Sequence, residues 1–185
     1  MKLHLTVATI ALGLALSLTA AFAADVKIVV ECESSKSVTP SMKISADSTA
    51  SKGKCIEIPL RRPHATTETG PSDKGNAVYK INVPQTATYQ FWGRCWWYDA
   101  CGNSFFVLID SDTVTAKTPY ITDQTFKKWH WVAGPSVKLT KGVHTIRIQN
   151  REDGAKMDQF LLHTRPKSRY QPSRPETETP QHIAK

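Results

Sequence analysis

Ala77-Val78-Tyr79-Lys80-Ile81-Asn82-Val83-Pro84 is the stretch that decides the fold class. Ala77, Tyr79, Ile81 and Val83 fall on one face, with Lys80 and Asn82 on the other. Period-two alternation marks a half-buried strand, because successive side chains leave opposite faces of the backbone. Pro84 ends the run, since proline has no N–H to give to a ladder. The pattern spreads both ways along the chain. Upstream lie Val26-Lys27-Ile28-Val29-Val30 and, after Gly53, Lys54-Cys55-Ile56-Glu57-Ile58. Downstream come residues 88–92, 128–132, 137–139, 143–148 and 157–162, with Lys141-Gly142 and Asp153-Gly154 as turn signals between them. Phe105-Phe106-Val107-Leu108-Ile109 is apolar throughout and reads as a central strand covered on both sides. Helical periodicity is nearly absent. About eight or nine short strands with no crossover helix predict an all-β protein, an antiparallel β-sandwich or jelly roll.

The two ends of the chain read differently from this middle. Met1-Lys2-Leu3-His4 is a short basic start, residues 5–20 are almost wholly apolar, and Ala21-Phe22-Ala23 is a small-x-small cleavage pattern. Residues 1–23 are therefore expected to be a signal peptide, too short in its apolar run for a membrane anchor, which needs about 20 residues. The expected location is secreted, periplasmic or cell-surface, and residue 24 is Ala rather than the Cys that lipoprotein anchoring requires. No later segment is apolar enough to span a bilayer. Residues 24–166 are expected to form one domain, and residues 167–185, with several prolines and few large apolar side chains, a disordered tail. The formal charge of the whole sequence is +8. Its basic residues are scattered in ones and twos, which argues against nucleic acid and leaves a merely solvated positive surface as the plainer reading, with an anionic polysaccharide or cell surface as the functional one.

Cys32, Cys55, Cys95 and Cys101 are an even set, which in an exported chain reads as two disulfides. Three connectivities are possible; the short Cys95–Cys101 loop can close locally, leaving Cys32 with Cys55. Glu31-Cys32-Glu33 places two carboxylates on one face of a strand, about 7 Å apart. Asp158 begins an otherwise apolar final strand. If the first and last strands are neighbours, Glu31, Glu33 and Asp158 converge into an oxygen set suited to calcium; solvated or lysine-paired acids are the plainer alternative.

Tryptophan is concentrated in two short segments, Trp92 to Tyr98 and Trp129-His130-Trp131. Trp96-Trp97-Tyr98-Asp99 is expected in a loop pinned by Cys95 and Cys101. Indoles held in a loop are suited to stacking on the C–H face of a pyranose, with Arg94, Asp99, Asn103 and Arg151 nearby to read hydroxyls. The alternative is that these rings fill the core, and of Trp129 and Trp131 at least one is expected to be buried.

Taken in order, several segments resemble a family. They are the opening E-x-E strand, Ala50-Ser51-Lys52-Gly53-Lys54, Val83-Pro84-Gln85-Thr86-Ala87-Thr88-Tyr89, Trp129-x-Trp131, Leu139-x-x-Gly142-x-His144-Thr145-Ile146 and Met157-Asp158-Gln159-Phe160. The chain is similar over roughly residues 26–163 to family 6 and family 35 carbohydrate-binding modules with a galactose-binding-like jelly roll. The resemblance implies a structural calcium on Glu31, Glu33 and Asp158, and sugar gripped by Trp129 with Asn150 or Arg151. One departure stands out: the loop at residues 61–75, where such modules often carry a stacking aromatic, has Arg61, Arg62 and His64 instead.

The reading that follows is a non-catalytic binder of polysaccharide or glycan. Its sites are Trp96, Trp97, Tyr98, Asp99, Asn103, Trp129, Asn150 and Arg151 for sugar, and Glu31, Glu33 and Asp158 for calcium. The alternative is an adhesive or structural surface protein that binds another protein. A hydrolase is disfavoured, because Glu31/Glu33 point the same way rather than across a scissile bond, and neither G-x-S-x-G nor H-E-x-x-H is present.

Overall fold

A computed structural model describes residues 24–60 and 75–184. The expected leader, and Arg61, Arg62 and His64 of the polar loop, lie outside the described residues. The strands are β1 (Lys27–Glu31), β2 (Ser37–Val38), β3 (Lys43–Ala46), β4 (Lys54–Glu57), β5 (Asn76–Val83), β6 (Ala87–Trp96), β7 (Ser104–Ile109), β8 (Tyr120–Thr122), β9 (His130–Leu139), β10 (Gly142–Asn150) and β11 (Lys156–His163). They form a six-stranded sheet in the order β3-β4-β11-β6-β9, with β1 also on β11, and a five-stranded sheet in the order β2-β5-β10-β7-β8. The paired strands run antiparallel. β5, β6 and β7 alternate between the sheets, as do β9, β10 and β11, so each turn between them also bridges the sandwich.

The alternation of β5 holds in space: Ala77, Tyr79, Ile81 and Val83 enter the core between the sheets. They meet Ile28 and Val30 of β1, Phe91 of β6, Phe105 and Val107 of β7, and Phe160 and Leu162 of β11. Phe160 is central, with Tyr79 edge-on at 4.9 Å and Phe91 stacked at 5.6 Å. β7 is covered on both faces as its composition predicts, since Phe106 and Leu108, on the side away from the core, are also buried. The stretches at 128–132 and 137–139 belong to one strand, β9. Pro135 is tolerated inside it because β9 is a sheet edge, where a bulge of Gly134 and Pro135 opposite Phe91 absorbs the irregularity.

Two expectations are corrected. The segment after residue 166 is not a disordered tail. It crosses the outer face of the six-stranded sheet and reaches the five-stranded one, where Ile183 bridges Ile81 and the Ala184 N–H donates to the Lys80 carbonyl. Few large side chains anchor it, so composition reads as disorder; main-chain and glutamate hydrogen bonds hold it instead. The cysteines are also not bridged: Cys32, Cys55, Cys95 and Cys101 are all free thiols. Cys32 and Cys95 are part of the core, whereas Cys101 is exposed in the turn after β6. Cys55 alternates with the core residue Ile56 and leaves the opposite face of β4.

Candidate functional site

The acidic cluster is built by strand register. β1 and β11 are neighbours, with Glu31 opposite Gln159. Val30 enters the core, so Glu31 leaves through the outer face of the six-stranded sheet. In β11, Met157 lies opposite Cys95 and Gln159 opposite Arg94, so Asp158 is an extra residue in a bulge. The bulge lets Met157 and Phe160 both reach the core while Asp158 and Gln159 stay out of it. Glu33 arrives from the 3-10 turn Cys32–Ser34 that follows β1.

One oxygen from each of Glu31, Glu33 and Asp158 lies within 4.8 Å of the others. The Ser51 N–H donates to both Asp158 oxygens at 3.0 and 3.1 Å, and its hydroxyl donates to Glu31 Oε1 at 3.1 Å. Gln159 Nε2 donates to the same Glu31 oxygen at 2.9 Å, and Arg94 is paired with Asp158. Glu31 Oε2 and Glu33 Oε2 are buried with no hydrogen-bond partner. Burial, with mutual repulsion added, pushes the carboxyls of Glu31 and Glu33 above their usual range. Burial also raises Asp158, against the pull of Ser51 and Arg94. Buried orphan carboxylate oxygens are costly, and three converging acids are short of positive charge. The donor set fits a hard divalent cation such as calcium.

The same outer face carries the aromatic residues. Arg94 lies opposite Trp131 and Cys95 opposite His130, so continuing the register brings Trp129 beside Trp96 at the loop end of the sheet. Trp96 in turn lies opposite Lys156 of β11. Each ring carries a cation: the Arg94 guanidinium is 5.2 Å from the centre of Trp129, and Lys156 Nζ is 5.1 Å from that of Trp96. Trp129 Nε1 donates to Thr49 Oγ1 at 2.8 Å, and Lys156 is paired with Asp47 at 3.0 Å. Asp158, Arg94 and Trp129 thus form a chain that ties the acidic cluster to the aromatic row. Tyr98, 6.4 Å from Trp96, extends the row and has Lys127 over its ring. Gly154, at φ +77°, permits the close turn here, where a Cβ would sit 2.9 Å from Tyr98.

The structure divides the sequence-predicted sugar residues. Trp96, Tyr98, Trp129 and Arg151 remain partly exposed. Trp97 does not belong with them: it is fully buried, packed on Phe105, with Nε1 donating to Asp123. β6 continues further than its alternation suggests, which carries Trp97 into the core instead of a loop. Asn103 and Asn150 are buried too, and their amides donate to the Asp123 carbonyl and to Ser41 Oγ. Asp99 is a turn residue, with Oδ1 accepting from the Cys101 N–H. Arg151 lies away from the tryptophan row, over Tyr120 at 4.4 Å and hydrogen-bonded to Ser104. Trp131 shares the outer face with Trp129, and both are half-buried.

Sequence reasoning missed Lys156 and the structural role of Arg94. The bulge that aligns Arg94 with Asp158 leaves no trace in composition, and Lys156 is visible only as one charge before an apolar strand. It also missed the C-terminal segment, whose Glu176 and Glu178 reach this same face.

No helix among the described residues is long and apolar enough to cross a membrane. The sequence matches no protein-family model and no curated protein. Similar folds do occur among solved structures. A family 35 carbohydrate-binding module from Clostridium thermocellum is 17% identical with a TM-score of 0.55, over 72% of this chain and 96% of that one. The C-terminal family 6 module of a marine laminarinase from Zobellia galactanivorans is 12% identical with a TM-score of 0.53, over 74% of this chain and 98% of that one. The Podospora anserina GH26-CBM35 β-(1,4)-mannanase is 15% identical with a TM-score of 0.56, over 76% of this chain, which spans only 28% of that enzyme. The chain has the fold shared by family 35 and family 6 carbohydrate-binding modules.

Proposed function

We propose that this protein is an exported, calcium-stabilised, non-catalytic binder of glycans, with acidic polysaccharide preferred. The observation that carries the reading is the row of Trp129 and Trp96 on the outer face of the six-stranded sheet, each ring backed by a cation. A half-exposed indole offers a flat apolar surface to the C–H face of a sugar ring. Lys127, exposed beside Tyr98, and the net charge of +8 favour carboxylate- or sulfate-bearing chains over neutral ones. Calcium would be held by Glu31, Glu33 and Asp158, neutralising the acids and fixing Asp158, through which Arg94 supports Trp129. Among the described residues, the acids bordering this row are held in ion pairs, Asp47 with Lys156 and Asp158 with Arg94, and the solved modules that this chain spans almost end to end are described as carbohydrate-binding modules.

The test is retention on a panel of soluble and insoluble glycans, polyuronates beside neutral polymers, with calcium present. Selective retention that falls with added salt and is lost in Trp129→Ala supports the reading. Silence across the panel assigns the face to a protein partner instead.

A further inference from the structure

Residues 165–184 form a strap over the sheet that carries both candidate sites. Tyr170 stacks on His163 at 4.0 Å and, with Trp131 and Ala133, closes over the outer apolar patch of Val29, Trp92 and Leu161. Trp131 Nε1 donates to the Arg174 carbonyl at 2.8 Å. Thr179 takes over the free edge of β1: its N–H donates to the Val29 carbonyl and its hydroxyl accepts from the Val29 N–H at 2.8 Å. Part of the aromatic face is thus covered by the chain's own C-terminal segment.

The strap is joined to the acidic cluster by two residues. Gln159 exchanges two hydrogen bonds with the Glu176 main chain, its Oε1 accepting at 2.9 Å and its Nε2 donating at 2.7 Å. The same Nε2 holds Glu31 Oε1 and lies 3.2 Å from Ser51 Oγ. Glu178 pairs with Lys52 at 2.6 Å, and its other oxygen approaches the Glu31 N–H at 3.4 Å. Glu178 therefore brings a fourth carboxylate to Glu31, Glu33 and Asp158. The cations paired with this group are Arg94, on Asp158, and Lys52, on Glu178. Four negative charges against two positive leave −2, and the flanking Lys156–Asp47 and Lys27–Glu176 pairs cancel themselves. One divalent cation closes that deficit. Without it, docking the strap brings Glu178 against an already repulsive cluster; with it, Glu178 adds an attractive charge and Glu31 is held where Gln159 can clamp Glu176.

We propose that the cation site and the C-terminal strap are one clasp: a divalent cation on Glu31, Glu33 and Asp158 fastens the strap through Gln159 and Glu178, and the docked strap tightens the cation in return. The proposal rests on the cation reading above and adds a coupling to it. Such linkage is reciprocal by necessity. Loss of the ion releases the strap and uncovers Val29, Trp92, Leu161 and Trp131, enlarging the aromatic face next to Trp129.

The experiment is amide hydrogen exchange on the whole chain, in saturating calcium and in excess chelator, with calorimetric titration of calcium alongside. The Thr179 and Ala184 amides, bonded to Val29 and Lys80, report the strap, and the β10 amides report global folding. Chelation is expected to lower strap protection at least about fivefold, the lower end of ordinary site–site coupling, while β10 is unchanged. Glu178→Ala is expected to weaken calcium binding by a comparable factor in a protein that still melts cooperatively. Calcium binding with equal strap protection in both conditions and no effect of Glu178→Ala overturns the clasp and leaves the cation site standing. No calcium binding by the intact chain overturns both.

Discussion

At the scale of the residue, Trp97 and Trp129 have the same side chain and opposite roles. Trp97 is fully buried against Phe105, so Trp97→Ala opens a cavity and leaves the Asp123 carboxylate short of a donor. The expected loss is about 3–5 kcal/mol of stability, read as a lower urea midpoint. Trp129→Ala removes a half-exposed ring and is expected to cost about 1 kcal/mol of stability or less while abolishing glycan retention. The cysteines differ in the same way. Burial pushes the Cys55 thiol up to about 12 and those of Cys32 and Cys95 well above their usual value, so all three stay protonated and unreactive. Brief iodoacetamide treatment of the native protein, read by mass spectrometry, is expected to modify Cys101 alone, and treatment after denaturation all four cysteines. An even cysteine count behind a leader-like N-terminus suggests bridges, but which face of a strand each thiol leaves depends on pairing that spacing does not encode.

At the scale of the element, β7 and β10 are joined beyond their ladder by Asp110 and His144. Asp110, at φ 51°, ends β7, accepts from the Thr145 N–H at 2.8 Å and pairs with His144 Nδ1 at 2.6 Å. Burial disfavours the His144 imidazolium, but Asp110 and the Thr140 carbonyl outweigh it and raise its pKa above the ordinary 6.5. Burial likewise works against the Asp110 carboxylate, and His144 with Thr145 outweighs it, lowering its pKa below 3.8. The raised histidine stabilises the fold fully below its unfolded pKa and loses that contribution as pH rises through the folded value. The lowered aspartate stabilises above its unfolded pKa and loses its contribution as pH falls through the folded one. The pair should therefore help most between about pH 4 and 6.5. His144→Gln is expected to cost stability at pH 5 and little at pH 9, measured as the difference in urea midpoint from the unchanged protein. The long strands were legible where the pattern is sustained: β5 alternates in period two over residues 77–83, and β7 is apolar throughout residues 105–109. β2, β3 and β8 are two to four residues long, too short for a period to show, and they exist because neighbouring strands offer them an edge.

At the scale of the whole molecule, the acidic cluster lies where β1, β4 and β11 meet, so a cation there would join the start, the middle and the end of the described chain. Calcium at about a hundred times its dissociation constant adds about 2.7 kcal/mol, which for a domain of this size raises the melting temperature by about 5–10 °C. A chelator is expected to reverse that shift, and an unchanged melt removes the cation from the account. The sequence by itself determined the sandwich and most of its core positions, because alternation and the nature of the side chains are local properties that survive any choice of partner; it brought Glu31, Glu33 and Asp158 together only on the condition that the first and last strands pair. Only the tertiary structure decided that Trp97 is core and Trp129 is surface, that Arg94 and Lys156 back the tryptophan row, and that the C-terminal segment is a strap. Each of these depends on a bulge, a register or a main-chain hydrogen bond between residues far apart in the chain, and such pairings come into being only when the two sheets and their edges assemble.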